Sequence, residues 1–230
     1  MKVLIACEES QTVCKSFREL GHEAYSCDVI ECSGGHPEWH IKDDALKYIN
    51  GRCEFKTCDG ETHAIDGKWD LLIAHPPCTY LTNCCTRGFS LKCTPAEKVV
   101  KRWEDRAISV AFFMHFVLAD CDKICVENPV GFMSKAYKRP TQIINPYQFA
   151  DSVNDKENYV TKRTCLWIKG LQPLETNDLP YPILPKRITK TGKLKSITWE
   201  ETITKDRSKT RSKTFPGIAR AMAEQWGGQI

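Results

Sequence analysis

The chain lacks any apolar run that approaches the length of a transmembrane helix, which needs about 20 consecutive residues. It has no internal repeat, and too few residues precede Cys7 for a signal peptide with an apolar core. Hydrophobic residues make up 41% of the 230 positions, enough to bury one substantial core. These features predict a soluble cytoplasmic protein that makes no membrane contact and folds as one domain with insertions.

Metal-binding and disulfide patterns are also weak. The 13 cysteines are odd in number and scattered through predicted strands and helices, which argues against a secreted disulfide framework. Two sets of soft ligands have regular gaps, but neither contains the tight Cys-x2-Cys pair of a strong zinc signal. The sets are Cys32, His36 and His40, and Cys53, Cys58 and His63. We expect no metal, with a structural zinc as the alternative.

The net charge of +4 excludes nothing by itself, but its distribution is uneven. Between Lys186 and Thr214, ten Lys or Arg residues stand against three acids, which gives a local charge of +7. Such a segment can follow the phosphate backbone of a nucleic acid. A solvated polar insertion is the alternative.

The chain opens with a strand–helix–strand unit. The pattern of apolar residues predicts a strand over Lys2–Ala6, a helix over Thr12–Leu20 and a second strand over Glu23–Asp28. Ser10 is the predicted N-cap of the helix, and Gly21 suits its left-handed C-cap. A unit of this kind begins a doubly wound parallel sheet.

Later segments continue the alternation of strands and helices. A long helix is predicted from Pro95 to about Ala119, with Val99, Trp103 and Ala107 among the residues of its buried face. The other predicted elements are a hairpin over Glu54–Asp66, strands over Trp69–Ala74, Lys123–Val126 and Thr164–Ile168, and a closing helix over about Gly217–Trp226. The fold class is therefore α/β, with a Rossmann-like doubly wound sheet.

Two of these strands end in residues that can carry chemistry. The first leads into His75-Pro76-Pro77-Cys78, and the second into Glu127-Asn128-Pro129, about 50 residues later. Open α/β sheets bind ligands at the carboxyl ends of their strands, so the thiol and the carboxylate should lie near each other. Together they form a nucleophile-plus-acid pair. His75 is a candidate for lowering the pKa of the Cys78 thiol.

These two segments resemble the Pro-Pro-Cys and Glu-Asn-Val motifs of the DNA cytosine-5 methyltransferases, in particular short phage- or prophage-type members. The resemblance implies that Cys78 adds to carbon 6 of a flipped-out cytosine. It implies that Glu127 hydrogen-bonds N3 and the exocyclic amine and protonates N3 as the thiol adds. Arg163 matches the arginine of the family's Gln-x-Arg-x-Arg segment, which holds the flipped base and its phosphate.

The resemblance also implies S-adenosylmethionine as cofactor, bound after the first strand. The segment Cys7-Glu8-Glu9-Ser10-Gln11 stands where the family has a Phe-x-Gly-x-Gly loop, and it lacks those glycines. Its two carboxylates suit a cationic ligand such as a sulfonium amino acid better than a pyrophosphate. Asp28 is placed to accept hydrogen bonds from a ribose. The residues expected to contact the cofactor are Ala6, Cys7, Glu8, Ser10, Asp28, Asp44, Pro76 and Gly217.

The same resemblance divides the chain into three parts. Residues 1–170 form a methyltransferase-like catalytic domain, residues 171–213 a Pro-containing and basic insertion, and residues 214–230 a helix that returns to the domain. The insertion replaces a full target-recognition domain, so recognition of the DNA substrate should be short or relaxed. Two other interpretations stay open. One is a pyrimidine-nucleotide-modifying enzyme with the same Cys78–Glu127 chemistry, and the other is a catalytically silent nucleic-acid-binding protein.

Overall fold

A computed structural model of the chain describes residues 1–183, 186–188, 192, 194–196 and 213–228. The strands in this part are β1 (Lys2–Ala6), β2 (Glu23–Asp28), β3 (His40–Lys42), β4 (Cys53–Lys56), β5 (Thr62–Ile65), β6 (Leu71–Ala74), β7 (Ile124–Pro129), β8 (Gln142–Ile144), β9 (Thr164–Lys169), β10 (Lys186–Ile188) and β11 (Leu194–Ser196). The helices are α1 (Thr12–Glu19), α2 (Ala96–Val117), α3 (Met133–Ala136) and α4 (Pro216–Met222), with a π-helical turn over Ala223–Gly227 after α4.

A seven-stranded sheet forms the centre of the fold, with strand order β3-β2-β1-β6-β7-β9-β8. The five strands from β3 to β7 in this order are parallel, whereas β9 runs antiparallel to both of its neighbours. The chain builds outward from β1 in one direction and then returns to build outward from β6 in the other. This switch point lies between β1 and β6, where doubly wound sheets form a ligand crevice. The predicted mixed α/β class with a largely parallel sheet is confirmed.

Both faces of the sheet are buried, which explains why its central strands are continuous apolar runs. Val3 and Ile5 of β1 pack into a cluster with residues of α1 and α4. Leu4 and Ala6 point to the opposite face, where they join a cluster that includes Phe113 and Phe116 of α2. Helices therefore cover the sheet on both sides. None of the helices in the described ranges combines the length and apolar composition of a membrane span.

Several details differ from the sequence prediction. Ser10 is not the N-cap of α1: the cap residue is Gln11, and the Glu8 carboxylate accepts hydrogen bonds from the first amides of the helix. On α2, Val99 is buried as predicted, but Trp103 is 48% exposed and Ala107 is exposed too. The helix packs through a narrower stripe than its apolar content indicated.

The basic insertion lies only partly within the described residues. Its Lys186–Ile188 and Leu194–Ser196 segments pair as an antiparallel ribbon, separate from the main sheet. The rest of the predicted basic stretch, residues 189–191, 193 and 197–212, lies outside the described residues. The prediction that this stretch contacts DNA therefore remains a prediction.

Candidate active site

The ends of β6 and β7 meet at the carboxyl edge of the sheet, as the sequence predicted. Asn128 is 2% exposed, and its Nδ2 donates a hydrogen bond to the carbonyl oxygen of Pro76 at 2.8 Å. The His75 amide donates to the Ala6 carbonyl at 2.9 Å. These two bonds fix the Pro-Pro-Cys turn against both the Glu-Asn strand end and the end of β1. Cys78 itself is partly exposed.

The chain that follows Cys78 rests directly on the chain that follows β7. Phe132 N donates to Leu81 O at 2.6 Å, and Thr82 and Gly131 form an isolated β-bridge. A Cβ atom at Gly131 would lie 2.9 Å from the Thr82 Cα, and closer still to the Leu81 carbonyl. Only glycine allows this close approach. The segment after Cys78 and the segment after β7 thus share backbone contacts as well as the side-chain bond from Asn128.

Glu127 and His75 form a buried pair. His75 Nδ1 lies 3.3 Å from Glu127 Oε2, with the two side chains 6% and 16% exposed. Burial raises the pKa of Glu127, but the hydrogen bond with His75 and the charges of Lys162 and His75 outweigh it, so the pKa lies below its ordinary value. In the protein alone, the carboxylate therefore carries its charge at neutral pH. His75 Nε2 is buried without a hydrogen-bond partner among the described residues.

Besides His75, Lys162 is the cation whose charge lowers the pKa of Glu127. Because β9 is antiparallel, the residues before it, not those after it, reach the sheet edge that carries Cys78 and Glu127, and Thr164 pairs with Pro129. Lys162 is partly buried, with its Nζ 5.5 Å from the centre of the Phe215 ring. Arg163 is exposed, and its charge acts on Cys165 instead. The resemblance singled out Arg163 and passed over its neighbour.

The loop after β1 takes a turn for which glycine is usually needed. Cys7 and Gln11 both lie in the left-handed region, with φ of 60° and 58°, where a non-glycine residue costs about 1–2 kcal/mol. The Gln11 side chain is fully buried and compensates for this cost: its Nε2 donates to His36 O at 2.8 Å, and its Oε1 accepts from His36 N at 3.1 Å. The loop that lacks the family's glycines therefore makes left-handed corners without them.

Glu8 turns inward from this loop and serves α1. Its Oε1 accepts a hydrogen bond from Val13 N at 2.6 Å, and its Oε2 accepts one from Cys14 N at 3.1 Å. Burial raises the pKa of Glu8, against the lowering effects of the His75 charge and of these two amides. The expected cofactor contact at Glu8 is thus a carboxylate already engaged by the helix.

The Glu9 carboxylate, unlike that of Glu8, accepts no hydrogen bond from α1. The residue is 8% exposed, and neither carboxylate oxygen has a hydrogen-bond partner among the described residues. Its charge raises the pKa of Asp28 at the tip of β2, where burial is the largest cause of the rise. Asp28 and Asp44 in turn both add to the effect of burial that raises the pKa of Cys7. The structure therefore groups the predicted residues Cys7, Asp28 and Asp44 with Glu9, which the sequence offered for a cationic ligand but did not place among the expected contact residues.

The remaining predicted cofactor residues have structural partners. Ala6 is fully buried and Pro76 is buried, each with its carbonyl accepting a bond described above. Ser10 Oγ lies 3.1 Å from Thr12 Oγ1. Gly217 N donates to Asn158 Oδ1 at 2.8 Å, and Gly217 lines a surface groove together with Ser10. Gly217 thus lies near Ser10 of the β1 loop.

The two sets of soft ligands do not converge. His40 is bonded to Ser26 and to the Ile30 carbonyl, and His63 to Tyr25 and Thr57. The described part of the chain contains no group of three or more His, Cys, Asp or Glu side chains that could hold a metal ion.

No protein-family model matches this sequence, and a search of curated proteins finds no match. The geometry of the described residues and the two motifs are therefore what indicate a function.

Proposed function

We propose that the protein is an S-adenosylmethionine-dependent methyltransferase that acts on carbon 5 of cytosine in DNA. The observation that carries this proposal is the meeting of the Pro-Pro-Cys turn and the Glu-Asn strand end, joined by the 2.8 Å bond from Asn128 to Pro76. The largely parallel sheet with its switch point beside this turn is compatible with a methyltransferase-like domain.

Cys78 acts as the nucleophile. As its thiolate forms a bond to carbon 6 of the cytosine, the ring loses aromaticity, N3 takes up a proton and carbon 5 becomes an enamine-like nucleophile. Bound S-adenosylmethionine would supply an electrophilic methyl group for carbon 5 and would leave as S-adenosylhomocysteine. Loss of the carbon 5 proton to a base then expels the Cys78 thiolate, and N3 returns its proton to Glu127, which restores the aromatic ring.

Glu127 and His75 handle the proton at N3 as a pair. The low pKa of Glu127 means that its carboxylate is charged before the base arrives and can accept a hydrogen bond from the exocyclic amine. When His75 is protonated, it passes a proton to Glu127 through their hydrogen bond, and Glu127 delivers it to N3. His75 thus supplies the proton to the acid, a role that differs from lowering the pKa of the thiol.

The residues around the β1 loop fit the cofactor. A sulfonium amino acid linked to adenosine carries positive charge and ribose hydroxyls, and the structure offers Asp28 for the hydroxyls. Asp44 lies near Cys7, where it would accept from the adenine amine. Titration calorimetry should show binding of S-adenosylmethionine, and Asp28→Ala should weaken it about 10-fold or more, because a hydrogen bond to a charged group is lost.

Covalent trapping tests the proposal directly. With a duplex that carries 5-fluorocytosine at a target site and the methyl donor present, the fluorine cannot leave as a proton, so the adduct should persist. Mass spectrometry should place it on Cys78, and Cys78→Ser should abolish it. Cys93→Ser is the matched control, since Cys93 is exposed in the same connection before α2, and it should leave the adduct intact.

The other outcomes separate the alternatives. An adduct on a different cysteine would contradict the assignment of the nucleophile. An adduct with a free fluorinated pyrimidine nucleotide, and none with the duplex, would favour the nucleotide-modifying enzyme. Binding of the duplex with no adduct would favour the silent nucleic-acid-binding protein.

A further inference from the structure

Glu9 is the acid of the β1 loop whose carboxylate has no hydrogen-bond partner among the described residues. Both of its carboxylate oxygens are buried without hydrogen-bond partners among the described residues, whereas both oxygens of the adjacent Glu8 accept bonds from α1. A buried carboxylate without partners is strongly disfavoured, so a native structure that retains one calls for an explanation. A ligand that donates hydrogen bonds supplies such an explanation.

The position of Glu9 points to the same crevice as the cofactor residues. Its backbone carbonyl accepts a hydrogen bond from Ser33 N at 2.8 Å, which ties the chain after β2 over the β1 loop. Its charge raises the pKa of both Asp28 and Glu8. Glu9 therefore lies between the tips of β1 and β2, beside the predicted ribose acceptor.

The hydrogen bonds that the Glu9 carboxylate lacks indicate which part of a ligand it would bind. Two carboxylate oxygens require N–H or O–H donors, and negative charge on the neighbouring acids makes a cationic donor the best match. A sulfonium carries positive charge but has no hydrogen to donate. A primary ammonium carries positive charge and three donors.

We propose that the Glu9 carboxylate binds the α-ammonium group of the methyl donor's amino-acid moiety. The inference rests on the proposed function in naming the ligand, and it adds which atoms of the ligand this unusual loop recognises.

Three ligands and two variants test the assignment by titration calorimetry. S-adenosylmethionine has both sulfonium and ammonium, S-adenosylhomocysteine has the ammonium alone, and 5′-methylthioadenosine has neither. Glu9→Gln should weaken the first two by the same factor, about 10- to 100-fold, the scale of a hydrogen bond to a charged group. It should leave the third unchanged. Glu54→Gln, on the exposed strand β4, should change none of the three.

A second substitution of Glu9 guards against a folding defect. Glu9→Leu removes a buried charge that has no protein partner, so the ligand-free variant should be at least as resistant to urea as the wild type. It should still lose affinity for S-adenosylhomocysteine. A stable variant with weak binding identifies a ligand contact and not a structural one.

Each other result overturns the proposal in a distinct way. Equal weakening of all three ligands would give Glu9 a structural role. Weakening of S-adenosylmethionine alone would assign it to the sulfonium. No effect on any ligand would remove it from the site. If the wild type binds none of the three, the methyl-donor assignment itself fails, and this inference fails with it.

Discussion

Gly131→Ala tests whether the backbone contact between the segment after Cys78 and the segment after β7 holds the candidate site together. A Cβ at this position would lie 2.9 Å from both the Leu81 carbonyl carbon and the Thr82 Cα, atoms of the backbone that cannot rotate away. The segment after Cys78 must therefore move off the segment after β7. That movement lengthens the 2.6 Å bond from Phe132 N to Leu81 O and opens the bridge between Thr82 and Gly131.

The magnitude follows from these two losses. Overpacking in a tight contact costs about 1–3 kcal/mol, and a lost backbone hydrogen bond adds about 1 kcal/mol. We expect the free energy of unfolding to fall by about 2–4 kcal/mol, which shifts a urea midpoint by about 1 M at a slope near the upper end of the usual range. A misplacement of Cys78 on the order of 1 Å should also slow adduct formation by roughly 10²-fold.

Gly67→Ala is the matched control. It makes the same chemical change at a glycine whose added Cβ meets nothing within 4 Å and whose φ is not left-handed. It should leave the midpoint and the adduct rate within error of the wild type. If Gly131→Ala behaves like Gly67→Ala in urea unfolding, the close contact does not exist as described. If it is destabilised but forms the adduct at the normal rate, the contact does not position Cys78.

Two further predictions concern charge. Because the folded-state pKa of Glu8 is raised, Glu8 contributes stability that is complete below its ordinary pKa of 4.5 and is lost as pH rises through the raised value. Urea unfolding against pH should therefore show Glu8→Gln gaining stability relative to the wild type across that window, and a constant difference would contradict the reasoning. For the basic insertion, replacing Lys193, Lys195, Arg207 and Arg211 by alanine should lower duplex affinity and flatten the log–log salt dependence by close to one unit per lost phosphate contact. An unchanged slope would identify a solvated insertion.

The central strands were predictable because they are buried on both faces and therefore read as apolar runs. β1 and β2 have the predicted bounds, and the β4–β5 hairpin turns at Asp59-Gly60, with Gly60 at a φ of 95°. β3 and β8 were not predicted, because three residues at the edge of a sheet carry too little periodicity. Their conformation comes from the neighbouring strand.

The α1 cap shows how a local rule fails. Ser10 stands where an N-cap residue normally stands, but Gln11 is left-handed and turns the chain so that the carboxylate of Glu8 reaches the first amides. A cap supplied from five residues upstream requires knowledge of the backbone corner. No glycine at position 11 indicates this left-handed residue in the sequence.

The candidate site could also be predicted only in part. The meeting of the Cys78 and Glu127 segments follows from a rule about parallel strands, which the sequence was sufficient to invoke. Lys162 was missed because the apolar pattern of β9 does not show the direction of the strand. Since β9 is antiparallel to β7, its first residues, and not its last, lie at the sheet edge near Glu127. The sequence offered both Glu8 and Glu9 for a cationic ligand but selected Glu8, because a lack of partners at Glu9 is a property of the folded surroundings, not of a residue type.

The left-handed corners at Cys7 and Gln11 also determine how the β1 loop tolerates substitution. At position 7, glycine relieves the backbone and removes only a small side chain, so the two effects nearly cancel. At position 11, glycine gives the same relief but deletes the amide that holds His36 by two hydrogen bonds. Two positions with the same backbone angle therefore belong to opposite classes in a saturation screen: one accepts the residue that its φ favours, and the other rejects it.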